Sequence, residues 1–169
     1  MPHSVRPVTE VLISADCWQN EPGAPSVIQR AIATAAETVA ADVGEAELAV
    51  MLTDDSGIRA LNRDFRGIDK PTNVLSFSPP RSGPDYGEGA HPRPLGDIAI
   101  AYETMRKEAN DESKAFDHHL SHLAVHGFLH LIGYAHETEE DADAMEALET
   151  EILAQLGIPD PYAGQERVD

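Results

Sequence analysis

Between His118 and His136 the chain places six of its eight histidines. Within that stretch His126, His130 and His136 follow the spacing H-x3-H-x2-G-x2-H, with Gly133 at the glycine. Side chains four residues apart meet on one face of a helix, so His126 and His130 must ride a helix to act together. A glycine three residues further on can adopt the left-handed conformation that ends the helix and turns the chain, bringing His136 back toward the same point. Three neutral imidazoles with one open position are what a catalytic zinc needs, because the vacant position holds a water whose pKa falls from 15.7 to about 7. His118 and His122 extend the same row, and His122, His126 and His130 form a competing helix-only set. Three ligands along a straight rod diverge from one ion, so the set completed by the turn ranks first. One zinc ion per chain is the expectation, with nickel, copper and iron also suited to imidazole.

Around this segment the patterning alternates between strand and helix. Val8 to Asp16, Glu47 to Thr53, Val74 to Ser78 and Asp97 to Ala101 read as strands. A helix is expected from a cap at Ser26 through Val27, Ile28, Ala31, Ile32, Ala35 and Val39 to a stop at Gly44. Another follows the capping residues Asp54, Asp55 and Ser56 and ends at Gly67. Helical spacing returns from Tyr102 to about Asn110, from Glu112 to Ile132, and from Thr138 to Leu156, where Gly157 closes it. Pro79 to Pro94 is rich in proline and glycine, which sustain neither helix nor sheet, and reads as a long flexible surface loop. Without strict βαβ alternation or repeats, the expectation is one α+β domain over residues 1–169. It has a small mixed β-sheet packed with helices, and the metal site lies on the long central helix and the turn after it.

Composition narrows the class. A length of 169 residues suits one domain, and no run approaches the roughly 18 apolar residues of a membrane span. The first residues lack a basic segment followed by an apolar core, so no signal peptide is expected. Cys17 is the single cysteine, which rules out an intrachain disulfide and fits a reducing, cytoplasmic home. Twelve Lys and Arg against 30 Asp and Glu give a net charge of -18, which repels a polyanion at long range. The charges are segregated, however, and screening over about 8 Å lets each face act on its own. Acids crowd Glu137 to Glu151, where they read as a solvated helix face, while Arg59, Arg63, Arg66 and Lys70 gather mid-chain.

The histidine spacing is that of the metzincin metalloproteases, H-E-x-x-H-x-x-G-x-x-H, whose glutamate is the general base. Position 127 is glycine here, so a protease lacks its proton acceptor and ranks last. A phosphodiester, with its own anionic oxygens and a neighbouring 2′-hydroxyl, depends less on such a carboxylate. HGFLHLIGYAH, FRGIDKPTNVLSF at Phe65 to Phe77 and LGDIAIA at Leu95 to Ala101 together resemble the YbeY family of bacterial endoribonucleases and ribosomal RNA maturation factors. The resemblance implies a single α+β domain and a zinc held by His126, His130 and His136. It also implies a metal-dependent, single-strand-specific endoribonuclease acting in small-subunit ribosomal RNA 3′-end processing and ribosome quality control in the cytoplasm. Ribosomal RNA and ribosomal particles are the implied partners, with no membrane. A recruiting ribosomal protein or GTPase would offset the charge deficit.

Carried over by position, the resemblance makes His126 and Arg66 the catalytic pair. A forked, permanently charged guanidinium suits the gripping of a phosphodiester and the charge that builds at phosphorus. Lys70 and Asn73 are the expected further substrate contacts, although the Pro71–Asn73 stretch also suits a turn into the strand. Asp97 is open to two roles, orienting a metal histidine or capping a turn. The family usually carries aspartate just before its third histidine, where this chain has Ala135, with Glu137 and Glu139 as nearby substitutes. The competing class is a zinc-containing ribosome-assembly factor that binds without cutting, although structural zinc sites usually close with four protein ligands.

Overall fold

The computed structural model describes residues 7–39, 46–78 and 93–163. In chain order these form β1 (Val8–Ile13), a short 3-10 helix (Asp16–Asn20), α1 (Ala24–Val39), β2 (Ala46–Thr53), α2 (Asp55–Arg66), β3 (Val74–Phe77), β4 (Arg93–Ala101), α3 (Tyr102–Asp111), α4 (Phe116–Leu131) and α5 (Glu139–Gln155). The four strands make one mixed sheet in the order β1-β2-β4-β3, with β1, β2 and β4 parallel and β3 antiparallel to β4. The expected mixed sheet and packed helices are therefore present.

Side-chain alternation sorts the sheet into two unlike faces. Leu48, Val50 and Leu52 of β2 and Ile98 and Ile100 of β4 point into the main core, where Ile28, Ile32, Leu120, Val125, Phe128 and Leu129 meet them from α1 and α4. Removing one such fully buried aliphatic side chain from water is worth about 1.5–3 kcal/mol. Helix α4 touches α1, α3, α5, β3 and β4, which makes it the central helix of the fold. On the opposite face α2 lays Ile58 and Leu61 over Leu75, Ala99 and Ala101, a smaller second core.

Several boundaries differ from the sequence reading, each for a local reason. Helix α1 begins at Ala24 rather than Ser26, its first bond running from Val27 N–H to the Gly23 carbonyl. Pro25 has no N–H to lose in a first turn, so the helix starts before it instead of after it. The expected stop at Gly44 lies outside the described residues. Strand β4 reaches back to Arg93, so residues 93 and 94 of the expected 79–94 loop are strand, and the rest of that loop lies outside the described residues. The expected helix from Glu112 splits off a linker: Ser113 takes φ 54° after α3, and α4 begins at Phe116. There the Lys114 N–H reaches back to the Ala109 carbonyl at 2.8 Å and closes α3. Among the described residues no helix is long and apolar enough to cross a membrane.

Candidate metal centre

Helix α4 is buried along most of its length, with Leu120, Ala124, Phe128 and Leu129 anchoring it in the core. Its remaining face carries His122, His126 and His130. Gly133 then adopts φ 108°, and the chain closes with bonds from Gly133 N–H to the His130 carbonyl (3.1 Å) and from Tyr134 N–H to the Leu129 carbonyl (3.0 Å). That paired closure is the glycine-dependent helix stop anticipated from the spacing. It brings His136 to ring-centroid distances of 4.9 Å from His130 and 5.8 Å from His126.

One ring nitrogen from each of His126, His130 and His136 lies within 4.8 Å of the others, so the cluster can hold a metal ion. Tetrahedral ligands of a zinc ion, at bond lengths of about 2.0–2.1 Å, sit roughly 3.4 Å apart. The His126 and His130 Nε2 atoms, at 3.0 Å, are near that separation. Their tautomers are set from behind: His126 Nδ1 donates to Glu149 Oε2 at 2.8 Å, and His130 Nδ1 donates to the Tyr134 carbonyl at 2.9 Å. Both protons are thereby placed on Nδ1, and two Nε2 lone pairs face one point, which a cation would relieve. Burial, reinforced by the neighbouring His126 imidazole, lowers the His130 pKa and favours the neutral, ligating form. His122 does not join the set. Its Nε2 is engaged by Glu149 at 3.3 Å and the Tyr162 hydroxyl at 3.1 Å, away from the point where the other three imidazoles gather.

Glu149 is the residue that reading the sequence missed. It belongs to the acidic block read as a solvated helix face, yet it is 0% exposed and points inward from α5. Burial alone raises its carboxyl pKa, but the hydrogen bonds from His122 and His126 outweigh that and hold it at about 2. The available signal was its spacing four residues after Met145, which is also buried. Asp97 instead lines the opposite, α2-covered face of the sheet, and Glu137 and Glu139 are exposed. Gly127 faces β4 closely: an added Cβ would sit 3.0 Å from Ile98 Cγ2, so a metzincin-like glutamate there requires the Ile98 side chain to give way.

The other predicted residues stand elsewhere. Arg66, on the last turn of α2, is exposed and lines a groove of about 960 Å³ along the α2 face of the sheet, with Leu12, Met51, Phe65, Phe77 and Asp97. His126 and His136 line a separate hollow of about 290 Å³ with Met145, Glu146, Glu149 and Tyr162. Of the mid-chain basic cluster, Arg59 pairs with Asp69 at 2.8 Å and Arg63 with Asp64 at 3.1 Å, whereas Arg66 and Lys70 form no ion pair among the described residues. Lys70 is exposed, its carbonyl held by Asn62 Nδ2 at 2.9 Å. Asn73 is engaged at both ends: its amide donates to Glu108 at 3.0 and 3.2 Å, and its Oδ1 accepts from Val74 N–H at 2.6 Å.

A family model described as endoribonuclease YbeY matches residues 16–157. The chain belongs to the YbeY family. A Bradyrhizobium diazoefficiens protein named endoribonuclease YbeY is 69% identical over 163 residues, covering 96% of this chain and 89% of that one. A second relative of that name, from another Bradyrhizobium, is 67% identical over 169 residues and covers 100% of both chains. A third, from Rhodopseudomonas palustris, is 67% identical over 99% of this chain and 87% of its own. In three dimensions the chain resembles the solution structure of TM1509 from Thermotoga maritima, with a TM-score of 0.56, 22% identity, and coverage of 95% of this chain and 100% of that one. This likeness concerns the fold alone. The YbeY family match takes in the helix, turn and third histidine together with Arg66 and the LGDIAIA strand.

Proposed function

We propose that this chain is a metal-dependent endoribonuclease that cuts single-stranded RNA in ribosomal RNA maturation, at the 3′ end of the small-subunit RNA, and in ribosome quality control in the cytoplasm. The observation that carries the reading is the pair of Nε2 lone pairs of His126 and His130, 3.0 Å apart with both protons held on Nδ1, in a chain of the YbeY endoribonuclease family. His126, His130 and His136 would hold one zinc ion. When bound, that ion supplies Lewis acidity and a water of lowered pKa. The three histidines supply the neutral donors, with His126 closest to the buried carboxylate that orients it. Arg66 grips the phosphodiester and balances the charge building at phosphorus, and Lys70 and Asn73 border the same RNA path. Because the net charge of -18 opposes naked RNA, recruitment through a ribosomal protein or GTPase supplies the missing affinity.

The test is cleavage of precursor small-subunit ribosomal RNA by metal-quantified protein, with and without chelator, beside His126→Ala. The expected outcome is one metal per chain and cutting that needs both the metal and His126, with the variant losing both. Full metal occupancy without cleavage, on free RNA and on assembled particles alike, would favour a binding-only assembly factor. Cleavage by metal-free His126→Ala would overturn the assignment of the centre.

A further inference from the structure

Glu149 is a carboxylate with a side chain only 1% exposed. An ionised carboxylate taken out of water needs donors on its oxygens and positive charge nearby. The donors are present. Oε1 accepts from the Tyr162 hydroxyl in a short bond and from His122 Nε2 at 3.3 Å, and Oε2 accepts from His126 Nδ1 at 2.8 Å. Among the described residues no lysine or arginine pairs with it. Its imidazole partners are His122 and His126, and of these His126 turns its other nitrogen to His130 within the three-imidazole cluster.

His122 shows which way the protons point. Its Nδ1 is buried without a partner. A buried acceptor left unpartnered is tolerated better than a buried N–H donor, so the proton belongs on Nε2, aimed at the carboxylate. Tyr162 arrives from the C-terminal turn beyond α5 and is anchored independently of Glu149. The Lys114 Nζ donates to the neighbouring Pro161 carbonyl at 2.9 Å, and the Tyr162 N–H donates to Asp160 at 2.8 Å. The Tyr162 ring stands edge-on to His122, with centroids 5.4 Å apart.

We infer that Glu149 is the positioning residue of the metal centre, holding the His126 proton on Nδ1 so that Nε2 faces the ion, and that Tyr162 and His122 act through it by fixing its rotamer. The inference rests on the reading of His126, His130 and His136 as metal ligands. It assigns the C-terminal turn a part in metal affinity, although that turn contributes no ligand. Carboxylates behind metal-bound histidines set ring orientation and basicity, and losing one costs about 10–100-fold in affinity.

The experiment titrates the metal-free full chain with zinc against a competing chromophoric chelator and records the visible spectrum of the cobalt-substituted protein. Glu149→Gln is expected to bind zinc about 10–100-fold more weakly than wild type and to shift the cobalt bands. Tyr162→Phe, which keeps the ring and removes only the hydroxyl, is expected to weaken binding by about threefold or more. Unchanged zinc affinity and cobalt spectrum in Glu149→Gln, with only a lowered melting temperature of the metal-free chain, would make Glu149 a structural residue and overturn the inference. Should Glu149→Gln fail to fold, Tyr162→Phe decides alone: weaker zinc binding supports the role and unchanged binding overturns it. A wild-type chain that binds no zinc at all would overturn the ligand reading itself, an outcome separate from either.

Discussion

Helix α2 stops through Gly67 at φ 72° with Arg66 on its last turn, and α4 stops through Gly133 at φ 108° with His130 on its last turn. Both exits use a left-handed glycine next to a side chain to which the proposed function gives a role, but the surroundings differ. Arg66 opens onto the groove on the α2 face, where the chain around it is tied down by exposed pairs such as Arg59 with Asp69. His130 and His126 are backed by the Tyr134 carbonyl and by buried Glu149. A cation that must follow a mobile polyanion works from an exposed, adaptable position. A metal ligand loses affinity if its ring can turn, so it is braced from behind.

The sharpest way to break this comparison is Arg66→Ala. Loss of a cation that stabilises transition-state charge is expected to lower kcat on RNA by about 10²–10³-fold while metal content and melting temperature stay at wild-type values. Metal loss on this substitution, read by atomic absorption, would show that the two exits form one structural unit. A smaller effect separates the two glycines. Alanine at either position meets no neighbour within 4 Å, so the cost is backbone strain, about 1–2 kcal/mol. Gly133→Ala is expected to weaken zinc binding as well, because His136 follows the turn, whereas Gly67→Ala leaves zinc affinity alone. Equal zinc affinities in the two variants would remove the distinction.

The smallest effect tests the bracing of α4 away from the metal. His119 Nε2 donates to Glu108 at 2.9 Å, and Asn73 adds a second donor. Burial raises the Glu108 carboxyl, but these bonds outweigh it and hold its pKa below the ordinary 4.5. A depressed carboxyl contributes stability above its unfolded value and loses it as the pH falls through the folded one. Glu108→Gln is therefore expected to be less stable than wild type by about 1 kcal/mol near neutrality, since the site is partly exposed. The gap should narrow as urea titrations are taken below pH 4.5. A gap that stays constant with pH would show that Glu108 acts by packing and not by charge.

The sequence by itself determined the features that depend on neighbours a few residues apart. These include the helix that pairs His126 with His130, the glycine stop at Gly133, the strand over β2, and the capping chemistry before α2, of which Asp54 is the residue that bonds. Family resemblance added Arg66, which no spacing would single out. Tertiary structure decided whatever depends on which elements pack together. A period of 3.6 residues cannot tell whether an acidic helix faces water or α4, so Glu149 read as a surface charge until α5 lay against the histidines. The same limit hid Tyr162, 26 positions beyond His136 by chain number and reaching the centre only through the C-terminal turn. It also left Asp97 ambiguous until strand register turned it to the α2 face. Local periodicity fixes which side of an element is apolar, while the partner that covers that side is chosen by packing across the whole chain.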